Sequence, residues 1–295
     1  GRRGVPAVPP EKVGAVQPVL VRVKVPKDAK PGEYKGSVSV AAGGRTVSVP
    51  VVLGVADWVV PDPRDFRLFV DLYQSPESVA MQYKVEMWSE EHWKLLEKSW
   101  ELLGRAGNKL VVVHAAEETQ FGNPRGTVYW VKKPDGSYDY DFSVFDRYLE
   151  MAKRHCGKLD HVAVQVWHVG NTMKTGSGWG TSPLDQKVTV TVKNGSGLES
   201  LRVPAFATED SRKFWKPFLA AVDKRIRDAG HGDALCVGIL WDSIPKGALF
   251  KTFDEIWPGG GPSRWMRGCH VATSSTGPYP AVKRGPGQIV LHEYC

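Results

Sequence analysis

The segment Ala234-Leu-Cys-Val-Gly-Ile-Leu-Trp-Asp-Ser-Ile-Pro245 decides the fold of this 295-residue chain. Its apolar part, residues 234–241, follows a long amphipathic segment that closes at Ala229-Gly230, so the pattern predicts a buried strand after a helix. Asp242 comes directly after that strand, and α/β barrels build their active sites from residues at the carboxyl ends of their strands. Its neighbour is Ser243 rather than a second acid. The sequence therefore predicts a functional site around a single carboxylate.

The rest of the C-terminal part repeats a rhythm of strand, loop and helix. Strands are predicted at 66–72, 109–114, 161–167, 234–241, 267–271 and from 288, and helices at 89–103, 142–155 and 208–229. Repeated βα units imply a parallel sheet with right-handed crossovers. The sequence contains neither a GxGxxG after the first strand nor a GxxxxGK[ST], which removes the main support for a nucleotide-binding fold. We therefore expect a (β/α)8 TIM-type barrel over 64–295, truncated or incomplete at its C-terminus and interrupted by a hairpin at 187–203.

The N-terminal part has a different pattern. Residues 1–18 are rich in Pro, Gly and Val and are expected to form an irregular lead-in. Apolar residues then alternate with polar ones over 19–25, 34–40 and 46–55, with a hairpin turn at Gly43-Gly44. Three antiparallel strands leave an apolar face that needs a partner, so we expect 19–60 to be the C-terminal part of a β-sandwich domain. Both chain ends are expected to be cuts in a longer precursor.

Composition narrows the classes of partner and cofactor. The chain has 39 Lys+Arg against 32 Asp+Glu, a net charge of +7, but the basic residues are scattered, which does not favour a nucleic-acid partner. No apolar run approaches the length of a membrane span. The four cysteines stand singly, so the sequence predicts no zinc site and no redox motif, and it leaves disulfide pairing open. We expect no cofactor and no metal.

Three segments carry a family resemblance: Val23-Lys-Val-Pro-Lys-Asp-Ala-Lys-Pro-Gly-Glu-Tyr-Lys-Gly36, Asp71-Leu-Tyr-Gln-Ser-Pro76 and residues 88–103. They are similar to the glycoside hydrolase 123-like proteins, and the likeness runs over most of the chain. The resemblance implies a secreted bacterial protein in which a β-sandwich precedes a TIM-barrel catalytic domain. It also implies an exo-acting β-N-acetylgalactosaminidase that works by substrate-assisted retention. The protein is accordingly expected to be secreted, periplasmic or at the cell surface.

The resemblance also implies roles for the residues that end the fourth barrel strand. In the family an Asp-Glu pair stands there, where Asp supports the 2-acetamido group of the substrate and Glu is the acid/base. Asp242 matches the Asp, and Ser243 replaces the Glu. A serine hydroxyl holds its proton too tightly to donate it to a glycosidic oxygen near neutral pH, so the mechanism does not carry over intact.

Other residues are candidates for completing such a site. Glycosidases ordinarily use two carboxyl groups, and Glu293, at the end of the sixth predicted strand, is our candidate for the second acid beside Asp242. Glu117 and Glu118 are a third source of acid, although adjacent acids on a loop are commonly just solvated. The candidates for substrate contacts are Asp71, Gln74, His114, Trp167, His168, Trp241 and His292. For each tryptophan, burial in the core is the alternative.

His114, His168 and His270 all fall near predicted strand ends, where a metal could be bound. No HxH or HExxH spacing supports such a site, so separate structural or substrate-contacting histidines are favoured. Two functions from different classes remain open. The first is a divergent glycoside hydrolase acting on a carbohydrate ligand. The second is an extracellular glycan-binding or structural protein that has lost catalysis, with an oligomer or surface assembly as a further alternative.

Overall fold

In this computed structural model the chain forms two compact units, residues 1–61 and 62–295. The structure describes residues 18–119, 122–167, 187–195, 197–239, 247–262, 264–269 and 289–294. The strands are β1 (Gly32–Ala42), β2 (Arg45–Val55), β3 (Leu110–His114), β4 (Tyr129–Lys132), β5 (Tyr138–Asp141), β6 (His161–Gln165), β7 (Val188–Asn194), β8 (Gly197–Val203), β9 (Leu235–Ile239), β10 (Arg264–Cys269) and β11 (Ile289–Tyr294). The α-helices are α1 (Pro76–Tyr83), α2 (Glu90–Arg105), α3 (Ser143–Cys156), α4 (Glu209–Asp228) and α5 (Gly247–Ile256).

The described part of the first unit contains the antiparallel hairpin β1–β2, which confirms the hairpin expected around Gly43-Gly44. Both glycines have positive φ, 56° and 75°, which a two-residue hairpin turn of this kind requires. The expected strand at 19–25 is wrong, because residues 18–26 form no strand. Its alternating valines are exposed instead. Alternation marks a segment that could pair, but a strand forms only where a neighbouring strand completes its hydrogen bonds.

The second unit is a mixed α/β fold built on a parallel sheet. Its described strands lie in the order β3, β6, β9, β10, β11, which is their order along the chain. Val70 adds an isolated parallel bridge to Asn108, so the expected strand at 66–72 is reduced to a single contact. A doubly wound sheet reverses its strand order at a switch point, and the described strands show no such reversal. Nor do they close into a barrel.

The two faces of this sheet are packed differently. The helices cover one face through a large aromatic and aliphatic core, which includes Trp93, Trp100 and Tyr148. The other face carries a smaller cluster formed by Leu110, Val112, Ala163, Cys236 and Met266, with Tyr73 packed against it. We call this second face the inner face. Because side chains alternate along a strand, every second residue of β3 and β6 belongs to it.

A second, four-stranded sheet has the order β5-β4-β7-β8. The hairpin β7–β8 was predicted, and β4–β5 was not. Both hairpins lie in connections that leave the carboxyl ends of parallel strands, since one follows β3 and the other follows β6. Trp130 of β4 is fully buried and stacks on Phe214 and Phe218 of α4, with ring centroids 5.3 and 4.7 Å apart. The extra sheet is therefore held on the parallel unit by an aromatic core.

Candidate functional site

Polar side chains follow the apolar stretch of the inner face at the carboxyl end of the sheet. His114 is the last residue of β3, and Gln165, the last residue of β6, lies opposite it in register. His114 is two residues after Val112, and Gln165 is two residues after Ala163, so both belong to the inner face of the sheet, as Val112 and Ala163 do. Both are also buried. The described carboxyl edge is thus the place where the inner face changes from apolar to polar, as the active-site end of a barrel sheet does.

Glu77 is the functional candidate that the sequence analysis missed. Its Oε2 atom lies 3.9 Å from Nδ1 of His114, and each side chain is only 3% exposed. Glu77 stands in the first turn of α1, where the helix dipole favours a negative charge. The Ser75 hydroxyl, which caps that helix, donates a 2.7 Å hydrogen bond to Oε1. A helix-start signal, Ser75-Pro76-Glu77, was present in the sequence, but only the fold brings it against β3.

Burial governs the charge of His114. It lowers the pKa of the imidazole below its ordinary value, while the negative charge of Glu77 and a hydrogen bond with the side chain of Asn123 act in the opposite direction. The same carboxylate contributes to raising the pKa of Tyr148, although burial is the larger cause there. The described residues offer no hydrogen-bond partner to Oε2 of Glu77 or to the Tyr148 hydroxyl. A carboxylate, an imidazole and a phenol therefore lie in one water-poor region.

Asn123 fixes the loop that follows β3. Its Oδ1 atom accepts hydrogen bonds from the backbone N–H of Thr119 (2.9 Å) and from the Thr119 hydroxyl (2.6 Å). Its Nδ2 donates to the carbonyls of Ala116 (2.8 Å) and Arg125 (2.9 Å). The amide therefore ties Ala116, Thr119 and Arg125 together beside His114.

Two further candidates stand after the isolated bridge at Val70. Gln74 is buried, and the Ser99 hydroxyl of α2 donates a hydrogen bond to its Oε1. Asp71 is half-buried. Between them, Tyr73 packs on the inner face, and its hydroxyl has no hydrogen-bond partner among the described residues. The segment that precedes α1 thus brings polar groups to the same edge of the sheet as His114.

Trp167 lies in the core rather than on a surface. It is 1% exposed, and its ring packs against Phe253 and Trp265 with centroid distances of 5.5 and 6.5 Å. This placement favours the alternative that the sequence analysis gave for each tryptophan, burial in the core, over stacking on a sugar.

Glu117 is not a solvated loop residue. It is buried, it accepts a 2.7 Å hydrogen bond from the Thr191 hydroxyl of β7, and Arg125 lies 3.4 Å away. Its backbone N–H also donates to the carbonyl of Thr189. Glu117 therefore ties the loop after β3 to the four-stranded sheet. Its neighbour Glu118 has a positive φ of 51°.

The backbone of β11 fixes the register of Glu293 and His292. Glu293 lies opposite Gly268 of β10, and His292 lies opposite Arg267, which in turn is opposite Ile239 of β9. Two strands in a sheet with one strand between them are about 10 Å apart. Trp241, Asp242, Ser243, His168 and His270 lie outside the described residues.

Among the described residues, no group of three or more His, Cys, Asp or Glu could hold a metal ion. No described helix combines the length and the apolar composition that a membrane crossing needs.

Residues 73–243 match the family model of the glycoside hydrolase 123 catalytic domain, which is more than half of the chain. The chain belongs to glycoside hydrolase family 123. The matched range contains Gln74, Glu77, His114 and Asp242.

Among solved structures, the chain is similar to a family 123 glycoside hydrolase from Clostridium perfringens, which was analysed for the hydrolysis of glycolipid glycans. The TM-score is 0.63 at 19% sequence identity, and the match covers 86% of this chain but 44% of that one. At this identity the likeness shows the fold alone, and the chain spans less than half the length of that structure. No curated protein matches the chain.

Proposed function

We propose that this family 123 chain acts on a glycan that ends in a β-linked N-acetylhexosamine. We further propose that this terminal sugar is N-acetylgalactosamine. One observation carries the proposal: the carboxyl edge at which His114, Glu77 and Gln165 meet lies inside the range matched by the catalytic-domain model. The proposed site is the carboxyl end of a (β/α)8-type barrel that the described parallel strands begin. We extend the proposal to an exported protein with a β-sandwich ahead of the barrel.

In the proposed reaction the substrate supplies its own nucleophile. The acetamido oxygen attacks the anomeric carbon while the glycosidic bond breaks, and the leaving oxygen takes a proton from a carboxylic acid. Asp242 orients and stabilises the acetamido group. Water then opens the cyclic intermediate, and the acid, now a base, takes a proton from that water.

Glu293 is the proposed acid, because Ser243 cannot donate a proton near neutral pH. The backbone of Glu293 lies at the carboxyl edge two strands from β9, and Asp242 follows β9 by three residues in the sequence. A separation of about 10 Å between those strands is comparable to the roughly 5 to 9.5 Å that separates paired carboxyl groups in glycosidases.

A second candidate function is glycan binding without catalysis, and the serine at position 243 favours it. Under this proposal the site keeps the acetamido-recognising Asp242 and has lost the proton donor. The same saccharide would then bind at the same place and remain intact.

Aryl β-N-acetylgalactosaminide and β-N-acetylglucosaminide test both candidates. We expect the wild-type chain to release the aryl group from the galactosaminide, and we expect Asp242→Asn and Glu293→Gln each to lower kcat/KM by about 10²- to 10⁴-fold. Asp135→Asn, in the exposed turn between β4 and β5, is the matched control and should keep full activity. Turnover that survives Asp242→Asn would remove the proposed site, and saturable binding without turnover would select the second function.

A further inference from the structure

Glu77 occupies a position that protein stability alone does not explain. A carboxylate that is only 3% exposed has lost most of its hydration. Burying such a charge lowers the free energy of unfolding by several kcal/mol unless hydrogen bonds or opposite charges compensate. The hydrogen bond from the Ser75 hydroxyl to Oε1 and the dipole at the start of α1 offset part of this desolvation cost. Oε2, in contrast, has no hydrogen-bond partner among the described residues and faces His114 Nδ1 at 3.9 Å.

We propose that Glu77 is a positioning residue for His114, and that its negative charge, 3.9 Å from Nδ1, favours the tautomer and the ring orientation that place the imidazole proton on Nδ1. The proposal rests on the function proposed above, whose site is the carboxyl edge that His114 ends, and it assigns to His114 a contact with the saccharide. With the proton held on Nδ1, the Nε2 lone pair is the acceptor that His114 offers to a sugar hydroxyl or to water.

The side chain of Asn123 also forms a hydrogen bond with His114, and the acceptor that this side chain carries is its amide oxygen. This amide oxygen already accepts hydrogen bonds from the backbone N–H and the hydroxyl of Thr119. Glu77 acts on the ring by charge rather than by a hydrogen bond, since Oε2 lies 3.9 Å from Nδ1 and has no hydrogen-bond partner among the described residues. In a buried, water-poor site that charge is weakly screened, so it favours a proton on the nearer ring nitrogen, Nδ1.

The frame around Glu77 is built to keep it in place. His92 of α2 bonds to the Pro76 carbonyl through Nε2 at 2.9 Å, one residue before Glu77. The Nδ1 atom of the same imidazole accepts the backbone N–H of Trp88, so Nε2 carries the proton and donates it to Pro76. Trp88 itself has a positive φ of 66°, which is unusual for a bulky residue. Helix α2 thus holds the first turn of α1 in place.

Nitrogen NMR of the ligand-free protein tests the proposal directly. Long-range ¹H–¹⁵N spectra of the whole chain distinguish a protonated from an unprotonated ring nitrogen, and the spectrum of His114→Gln assigns the signals. We expect Nδ1 of His114 to be protonated and Nε2 to be unprotonated near pH 7.5. The opposite tautomer would overturn the proposal, and this measurement on the wild type needs no variant of Glu77 to fold.

Variants of Glu77 supply the second arm. In Glu77→Gln the amide offers a donor as well as an acceptor, so the preference for Nδ1–H should be lost, while Glu77→Asp should restore part of it. Glu86→Gln, an exposed acid in the turn between α1 and α2, is the control and should change nothing. An unchanged tautomer in a folded Glu77→Gln protein would contradict the assigned role.

Activity measurements test the effect of Glu77 on catalysis independently of the tautomer of His114. With the aryl β-N-acetylgalactosaminide, Glu77→Gln should lower kcat/KM by about 10- to 100-fold, and Glu77→Asp should recover part of that loss. If the wild type neither cleaves nor binds either aryl glycoside, the proposed function fails, and the tautomer still decides whether Glu77 positions His114. Full activity in a Glu77→Gln protein with the altered tautomer would remove the functional part of the proposal.

Discussion

Gly104 allows helix α2 to lie directly against the end of α3. A Cβ atom at this position would come within 2.8 Å of the backbone carbonyl carbon of His155, and backbone cannot move aside as a flexible side chain can. Gly→Ala inside a helix normally stabilises a protein by about 1 kcal/mol. Here we expect Gly104→Ala to lower the free energy of unfolding by about 1–3 kcal/mol, because overpacking outweighs propensity.

Urea denaturation followed by tryptophan fluorescence measures this difference. Gly197→Ala is the matched control, since the nearest atom to its new Cβ would be 3.5 Å away, an ordinary contact. That variant should stay close to the wild type. A Gly104→Ala protein more stable than the wild type would show that the two helices can separate at little cost.

A functional residue can be recognised from the sequence only where the neighbours that give it its role are close to it along the chain. His114 could be singled out from the sequence because it ends a buried apolar strand. Glu77 could not, because its meaning comes from His114, which lies 37 positions further along the chain. Trp167 shows the opposite case: its place after a strand gave a reason to assign a ligand contact, but a large ring at a strand end can equally fold back into the core, as it does here.

At the scale of elements, the Thr191 hydroxyl joins the four-stranded sheet to the loop after β3. It donates to Glu117 Oε1 at 2.7 Å and accepts the backbone N–H of Gly126 at 2.9 Å, and the residue is fully buried. Thr191→Val keeps the shape and leaves both partners without that bond. Because a buried unsatisfied group costs about 1–3 kcal/mol, we expect a loss of unfolding free energy of about 2–4 kcal/mol.

The control for that prediction lies in the same network. Ser200 accepts a 3.0 Å hydrogen bond from Arg125, but this contact is exposed, so Ser200→Ala should cost less than about 1 kcal/mol. Chemical denaturation of both variants gives the comparison. Equal losses in the two would mean that Thr191 stabilises the junction no more than an exposed contact does.

Elements were predictable where periodicity and turn chemistry agreed. Strands β3, β6, β9, β10 and β11 and helices α2, α3 and α4 carry runs and ridges of apolar residues, and the structure has them close to the predicted bounds. Helices α1 and α5, of eight and ten residues, were not predicted. The β4–β5 hairpin was missed although its turn contains Pro134-Asp135-Gly136, a recognisable signal in which Asp135 accepts from the Ser137 backbone N–H at 2.9 Å. Its strands are only four residues each, too short for alternation to stand out.

At the scale of the whole molecule, buried histidines set the response to acid. Burial lowers the pKa of His92, His114, His161 and His231, and that of His161 falls to about 4. Above pH 6.5 these side chains are neutral in both the folded and the unfolded chain, and their contribution to stability is complete. As the pH falls below 6.5 the unfolded chain takes up protons first, so stability decreases down to the folded pKa of each group.

We therefore expect the urea midpoint of the protein to fall steadily from pH 6.5 to pH 4.5. Carboxylates with lowered pKa, such as Glu97 and Asp141, add to the loss only further down, where the unfolded chain begins to protonate them. The His161 ring meets Phe69 edge-on, with centroids 4.3 Å apart, so His161→Phe keeps an aromatic ring there and removes one titrating group. It should flatten the pH dependence, whereas Phe69→Leu should lower stability at every pH and leave the slope unchanged. A His161→Phe protein with the wild-type slope would mean that the acid response resides in the other histidines.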